Sequence, residues 1–255
     1  MGGLSGKTIV VTGAARGLGA AIAHHLAREG ARLVLLDIAD AGPVAEAVGG
    51  VAFACDVREE DQVDAAFSRI DAEVGAIHGL VNNAGVYGEA SRREEFRAAF
   101  ETNVWGAYLC ARAAADRMAP GGSIVNIGSH ICEHHGVTDE LMFYVASKAA
   151  LLNIQRSLVI VLGPKGLRVN TVAAGPIPLP DGFYGQQLID IFDRISPLGI
   201  PADAQEVCAA TAFFLSDATR HTTGVHHVVD GGFVQGYSLT AFDLVLGGLT
   251  PGGQG

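Results

Sequence analysis

Tyr144 and Lys148 stand four residues apart in the run Tyr144-Val145-Ala146-Ser147-Lys148-Ala149-Ala150-Leu151-Leu152. No proline follows until Pro164, so the run reads as the opening of a helix. Residues at that spacing share a helix face, which sets phenol and ammonium side by side. A free tyrosine titrates near ~10. An ammonium ~4 Å away, at an effective dielectric of ~20, favours the phenolate by ~4 kcal/mol. At ~1.4 kcal/mol per tenfold, that lowers the tyrosine pKa by roughly three before desolvation takes some back. The product is a phenol able to give or take a proton near neutrality. Alone, the pair reads first as a partly buried tyrosine beside a snorkelling lysine. The surrounding elements decide between the two.

Residues 8–11 form a short β-branched run, read as a buried parallel strand. Thr12-Gly13-Ala14-Ala15-Arg16-Gly17-Leu18-Gly19 follows, then a helix over about 19–29. Three glycines between strand and helix let the backbone approach a pyrophosphate, which the helix N-terminus attracts. A second strand, 32–36, ends at Asp37, where dinucleotide folds place the acid that binds the adenosine ribose. A carboxylate there repels a 2′-phosphate and favours NAD over NADP. Arg16 is a counter-signal, since a loop cation pairs with such a phosphate. Asp37 equally suits the N-cap of the next helix.

Residues 39–48 read as a weak helix and 51–55 as a third strand, ending at Asp56-Val57. Asp56 is a candidate acceptor for the adenine amino group, or a cap for the helix over 59–74. The fourth strand, 77–81, ends in Asn82-Asn83-Ala84-Gly85, whose small residues let the chain pass beneath a flat ring. Residues 93–118 read as one long or kinked helix, with Asn103 a poor helix former at its middle. Strands at 123–127 and 167–172 complete six, the fifth ending at Gly128-Ser129. The alternation predicts an α/β fold: a Rossmann-like, doubly wound parallel sheet in a single domain. Gly13, Asp37, Asp56, Asn82 and Ser129 then gather at the carboxyl strand ends, where such sheets bind ligands.

Composition narrows the classes. Of 255 residues, 49% are hydrophobic and 17% charged, enough for a large core. A formal net charge of −10 disfavours nucleic acid and anionic membranes as partners. Four scattered cysteines, Cys55, Cys110, Cys132 and Cys208, suit reduced thiols in a cytoplasm. No apolar signal core and no membrane-length uncharged run is expected to anchor the chain.

With these pieces in order, residues 6–235 resemble a classical short-chain dehydrogenase/reductase. The resemblance rests on Thr12-Gly13-x-x-x-Gly17-x-Gly19, Asn82-Asn83-Ala84-Gly85, Asn103, Ser129 and Tyr144-x-x-x-Lys148. Arg168-Val169-Asn170 and Val229-Asp230-Gly231-Gly232 also match. It implies Tyr144 as general acid/base, Ser129 as holder of the substrate oxygen and Lys148 as binder of the nicotinamide ribose. Asn103 would hold a water linking Lys148 to solvent. The implied NAD contacts are Gly13, Arg16, Gly17, Leu18, Gly19, Asp37, Asp56, Val57, Asn83, Ala84, Gly85, Tyr144, Lys148, Gly175 and Ile177. A homotetramer or homodimer is implied as well.

Three departures from the family pattern bear on function. Ala174-Gly175-Pro176-Ile177-Pro178-Leu179-Pro180 has Ala174 where a proline is usual, and Leu179 in place of a carboxamide-binding threonine. The stretch 130–143 is about two residues longer than is usual in the family and holds His130, Cys132, His134 and His135. The set reads as a polar pocket wall ahead of a metal site, so no metal is expected. Residues 236–255 form an apolar extension expected to pack at a subunit interface. His130, Phe143, Phe183 and Tyr184 are expected to wall a substrate pocket that lacks a cation. That favours a neutral, mostly apolar secondary alcohol or ketone, with residues 178–195 as a lid. The rival expectations are an NADPH ketoreductase and a catalytically idle dinucleotide sensor.

Overall fold

Short runs of Val, Ile and Leu, buried on both faces, build a wholly parallel sheet. The computed structural model describes residues 3–87, 92–132, 139, 141–179 and 185–236. In chain order come β1 (Thr8–Thr12), α1 (Gly17–Arg28), β2 (Arg32–Asp37), α2 (Gly42–Val48), β3 (Val51–Ala54) and α3 (Glu60–Glu73). Then follow β4 (Ile77–Asn82), α4 (Arg92–Phe100), a π-helical turn (Glu101–Gly106), α5 (Ala107–Ala115) and β5 (Met118–Ser129). After α6 (Met142–Leu162) come β6 (Arg168–Ala174), α7 (Gln186–Ile195), α8 (Ala204–Leu215) and β7 (His226–Val229). The strands lie in the order β3-β2-β1-β4-β5-β6-β7, every neighbouring pair parallel. Order reverses between β1 and β4, and a ligand crevice opens at the carboxyl ends of such a switch.

The strand period of two sorts the core into two layers. Val10, Leu36, Leu80 and Val169 meet Phe67 and Ile70 of α3, Leu109 of α5 and Leu158 of α6 on one face. Ile9, Val11, Leu35 and Val125 meet Ile22 and Leu26 of α1 and Val207 and Leu215 of α8 on the other. Burying each such side chain contributes ~1.5–3 kcal/mol. The motif residues Arg168 and Asn170 brace this frame. The Arg168 guanidinium donates to Phe214 O, Ser216 O and Thr219 Oγ1. Asn170 bonds Thr222 O and the Val225 amide, docking β7 on β6. By length and apolar composition, the helix through 142–165 could cross a membrane. Here α6 buries Leu151, Leu152, Leu158 and Leu162, and its Leu158 and Leu162 join the first of these layers.

The structure departs from expectation in three places. A seventh strand, β7, joins the predicted six; it is only four residues long, partly exposed, and two of its four are histidines. The helix expected over 93–118 is broken by the π turn that carries Asn103. Strand β5 extends back to Met118. The apolar extension at 237–255, with His134 and His135, lies outside the described residues.

Candidate active site

The glycine loop is shaped by what it touches. Gly13 and Gly17 hold left-handed backbone, at φ of 64° and 58°. A Cβ on Gly19 would lie 2.0 Å from Gly13 O and 2.5 Å from Asn83 Nδ2. Only glycine therefore lets α1 start this close to β4. Asn83 staples the two together, donating from Nδ2 to Thr12 O (3.0 Å) and Gly13 O (2.9 Å). Thr12 Oγ1 in turn accepts from the Asn83 and Ala84 amides. Asn82 points the other way and donates to Ala107 O and Asn126 Oδ1, fixing the β4 end in the core.

A cleft of about 500 Å³ runs along these strand ends. One end is lined by Gly13, Arg16, Gly17, Leu18, Gly19, Asp37, Asp56 and Val57, the other by Gly85, Ser129, Tyr144, Lys148, Gly175 and Ile177. Asn83 and Ala84 line it as well. Every dinucleotide contact expected from sequence thus borders one cleft. Asp37 Oδ2 accepts from the Ala15 amide at 2.8 Å and Oδ1 from the Ala39 amide at 2.9 Å. Its carboxylate ties the glycine loop to the chain after β2. Asp56 is gripped by Arg58, and the bidentate pair holds its carboxyl below the usual range.

At the far end, Ser129 closes β5 and is 4% exposed. Tyr144 lies in the first turn of α6, with Tyr87 packed edge-on at 6.1 Å between centroids. Lys148 follows one turn later, its Nζ 5.8 Å from the Tyr144 ring centroid. Nζ donates to Ile127 O at 2.9 Å. Burial lowers the lysine pKa from 10.5 to about 8. Asn103 is 1% exposed. Its Oδ1 accepts from the Val86 amide (2.8 Å); its Nδ2 donates to Val86 O (3.0 Å) and to Ser147 Oγ (2.9 Å). Ser147 Oγ donates onward to Tyr144 O at 2.6 Å. Gly85 fits between these groups, since a Cβ there would lie 3.2 Å from Asn103 Oδ1 and 3.4 Å from Lys148 Nζ.

The substrate-wall expectations fare differently. His130 is 1% exposed and does not border the cleft. Its Nδ1 lies 3.1 Å from Ala174 O and its ring packs edge-on against Phe192 and Phe233. Consecutive residues at a strand end face opposite ways, so placing Ser129 in the cleft turns His130 out of it. Phe143 packs on Phe96 of α4 instead of lining the cleft among the described residues. Phe183 and Tyr184 lie outside the described residues. Ser147 and Arg58 were not legible as site residues. A serine one residue before the lysine, inside the Tyr-x-x-x-Lys run, was the available signal for Ser147. Leu179, in the position where the family has threonine, does border the cleft.

The cleft suits a nicotinamide dinucleotide: glycine backbone along one side, a carboxylate at the β2 end, and a buried lysine beside a tyrosine and a serine. Comparisons with known proteins agree. A family model described as enoyl-(acyl carrier protein) reductase matches residues 13–234. The chain is 35% identical to D-threitol dehydrogenase of Mycolicibacterium smegmatis, over 90% of this chain and 94% of that protein. It is 34% identical to 3-alpha-(or 20-beta)-hydroxysteroid dehydrogenase of Mycobacterium bovis, over 96% and 95%. Among solved structures, a blue fluorescent protein from a metagenomic library in complex with NADPH superposes with a TM-score of 0.81 at 31% identity. That match covers 91% of this chain and 99% of the other. Likeness over nearly the whole of each relative, on a seven-stranded parallel sheet whose cleft gathers the motif residues, has one reading: the chain belongs to the classical short-chain dehydrogenase/reductase family.

Proposed function

We propose that this chain is an NAD-dependent oxidoreductase interconverting a secondary alcohol and its ketone. The observation that carries this reading is the meeting of Ser129, Tyr144 and Lys148 at one end of the cleft that Asp37 borders at the other. A bound nicotinamide dinucleotide supplies or accepts the hydride. The chain's own part is proton transfer and orientation. In the oxidising direction, Tyr144 Oη takes the substrate hydroxyl proton while Ser129 Oγ donates a hydrogen bond to the same oxygen. The Lys148 ammonium stabilises the phenolate, and Asn103 anchors Tyr144 through Ser147.

Asp37 supports NAD, because a carboxylate at the end of β2 repels a 2′-phosphate. An NADPH-dependent reductase is the second reading, favoured by Arg16 at the same end of the cleft. The substrate we infer is neutral and mostly apolar: Tyr87, Ile177 and Leu179 border the cleft's catalytic end. Exposed Trp105 and Val161, which border an apolar groove of about 560 Å³ lined by the π turn, α5 and α6, support self-association as a homotetramer or homodimer. A screen of secondary alcohols with NAD, using Tyr144→Phe as the blank, tests the reading. The Phe variant should lose at least ~10²-fold in turnover while still binding dinucleotide. Retention of most activity would remove Tyr144 as the acid/base.

A further inference from the structure

Two residues past β3, a side chain grips the acid expected to meet the adenine ring. Arg58 Nε lies 2.9 and 3.1 Å from Asp56 Oδ1 and Oδ2, and Nη2 lies 2.5 Å from Oδ2. The Arg58 amide adds a fourth contact, 3.0 Å to Oδ1. The Asp56 amide donates to Gln62 Oε1 on α3 at 2.9 Å, so the backbone is tied as well. The Asp56 side chain is 12% exposed and that of Arg58 38%. Both border the cleft, as do Ile38 after β2 and Ala98 and Thr102.

A carboxylate offers about four acceptor sites. Arg58 fills three with three hydrogens, Nε being shared between the two oxygens. One site is left for an outside donor, and an aminopurine brings a single amine to that place. The geometry points to Arg58 as a positioning residue for the adenine of the dinucleotide: it holds the Asp56 carboxylate in one orientation, with one acceptor open to the exocyclic amine. This rests on the dinucleotide reading of the cleft. Without the fork, only the Arg58 amide still holds Asp56, at Oδ1, and fixing the other oxygen on binding costs order and weakens the contact. A planar guanidinium also makes a bidentate grip that an ammonium does not reproduce.

The test is a cycle between this side chain and the amine. Dissociation constants of NADH and of its hypoxanthine analogue, in which a ring carbonyl replaces the amine, are measured for the unmodified protein, Arg58→Ala and Arg58→Lys. The unmodified protein should prefer NADH by ~10-fold, the size of one hydrogen bond to a charged group. Both variants should shrink that ratio to ~2-fold. A general loss of stability weakens both ligands alike and leaves the ratio unchanged, so a ratio that stays at the unmodified value in Arg58→Ala overturns the proposal. A full ratio in Arg58→Lys also overturns it, since charge alone would then suffice. If the unmodified protein binds both ligands equally, the positioning role fails while the dinucleotide reading stands. If it binds neither, both fail.

Discussion

Lys148→Met should stabilise the dinucleotide-free protein while abolishing turnover. Lys148 is 5% exposed and its ammonium donates to Ile127 O at 2.9 Å. Desolvation lowers its pKa from 10.5 to about 8, against a small opposing pull from Cys132. At ~1.4 kcal/mol per tenfold, keeping that lysine charged at neutral pH costs the folded state ~3 kcal/mol. Methionine has a similar reach and no charge. It gives up the bond to Ile127 O, worth ~1 kcal/mol. The variant should therefore be more stable by ~1–2 kcal/mol at pH 7. The pH dependence fixes the cause. Between about 8 and 10.5 the unfolded chain still holds the proton that the native lysine has released. Stability of the unmodified protein then rises with pH across that window, and the advantage of methionine shrinks. Urea unfolding at pH 7 and pH 9.5, followed by circular dichroism, measures both points. A methionine variant less stable than the parent at pH 7, or a difference that does not move with pH, would refute the reasoning.

Asp37→Ala should narrow a preference for NAD over NADP of at least ~10-fold, read from dissociation constants of the two cofactors. Equal affinities in the unmodified protein would give the choice to Arg16 instead. Gly19→Ala places a Cβ 2.0 Å from Gly13 O, so the glycine loop must shift; a loss of ~1–3 kcal/mol in thermal unfolding should accompany weaker dinucleotide binding. Gly163→Ala is the contrast: its φ of −54° suits alanine and nothing lies within 4 Å of the new Cβ, so stability should hold or rise by ~0.5–1 kcal/mol.

Much of the fold was legible because parallel strands buried on both faces leave unbroken apolar runs between glycine turns. Where burial is partial the signal fades. His226–Val229 pairs with β6 although half of it is histidine, and its pairing is fixed by Asn170 and the Val225 amide, contacts no local pattern announces. The cleft was legible because each motif ends a strand, and strand ends of a doubly wound sheet share one edge. Side-chain direction after the last strand residue was not. His130 follows Ser129 in the chain, yet it leaves the cleft for Phe192 and Phe233, partners some 60 and 100 residues away. Arg58 was missed for a similar reason: an arginine two residues past an acid reads as a surface cation until its fork is seen.

Two locally unfavourable features meet at one end of the cleft, and each is held in place by the other's surroundings. The π turn at Glu101–Gly106 departs from the hydrogen bonding of α4 and α5, a form found mostly where function requires it. It carries Asn103, whose amide fastens Val86 on one side and Ser147 on the other. Ser147 fastens the carbonyl of Tyr144, and the next residue is the lysine whose charge burial opposes. Gly85 lies against both the amide of Asn103 and the ammonium of Lys148. Neither feature helps a sheet to fold: a regular helix and an apolar side chain would serve better at both positions. Their coincidence beside Tyr144 is what a site under functional constraint predicts, since local rules are broken together where chemistry needs it.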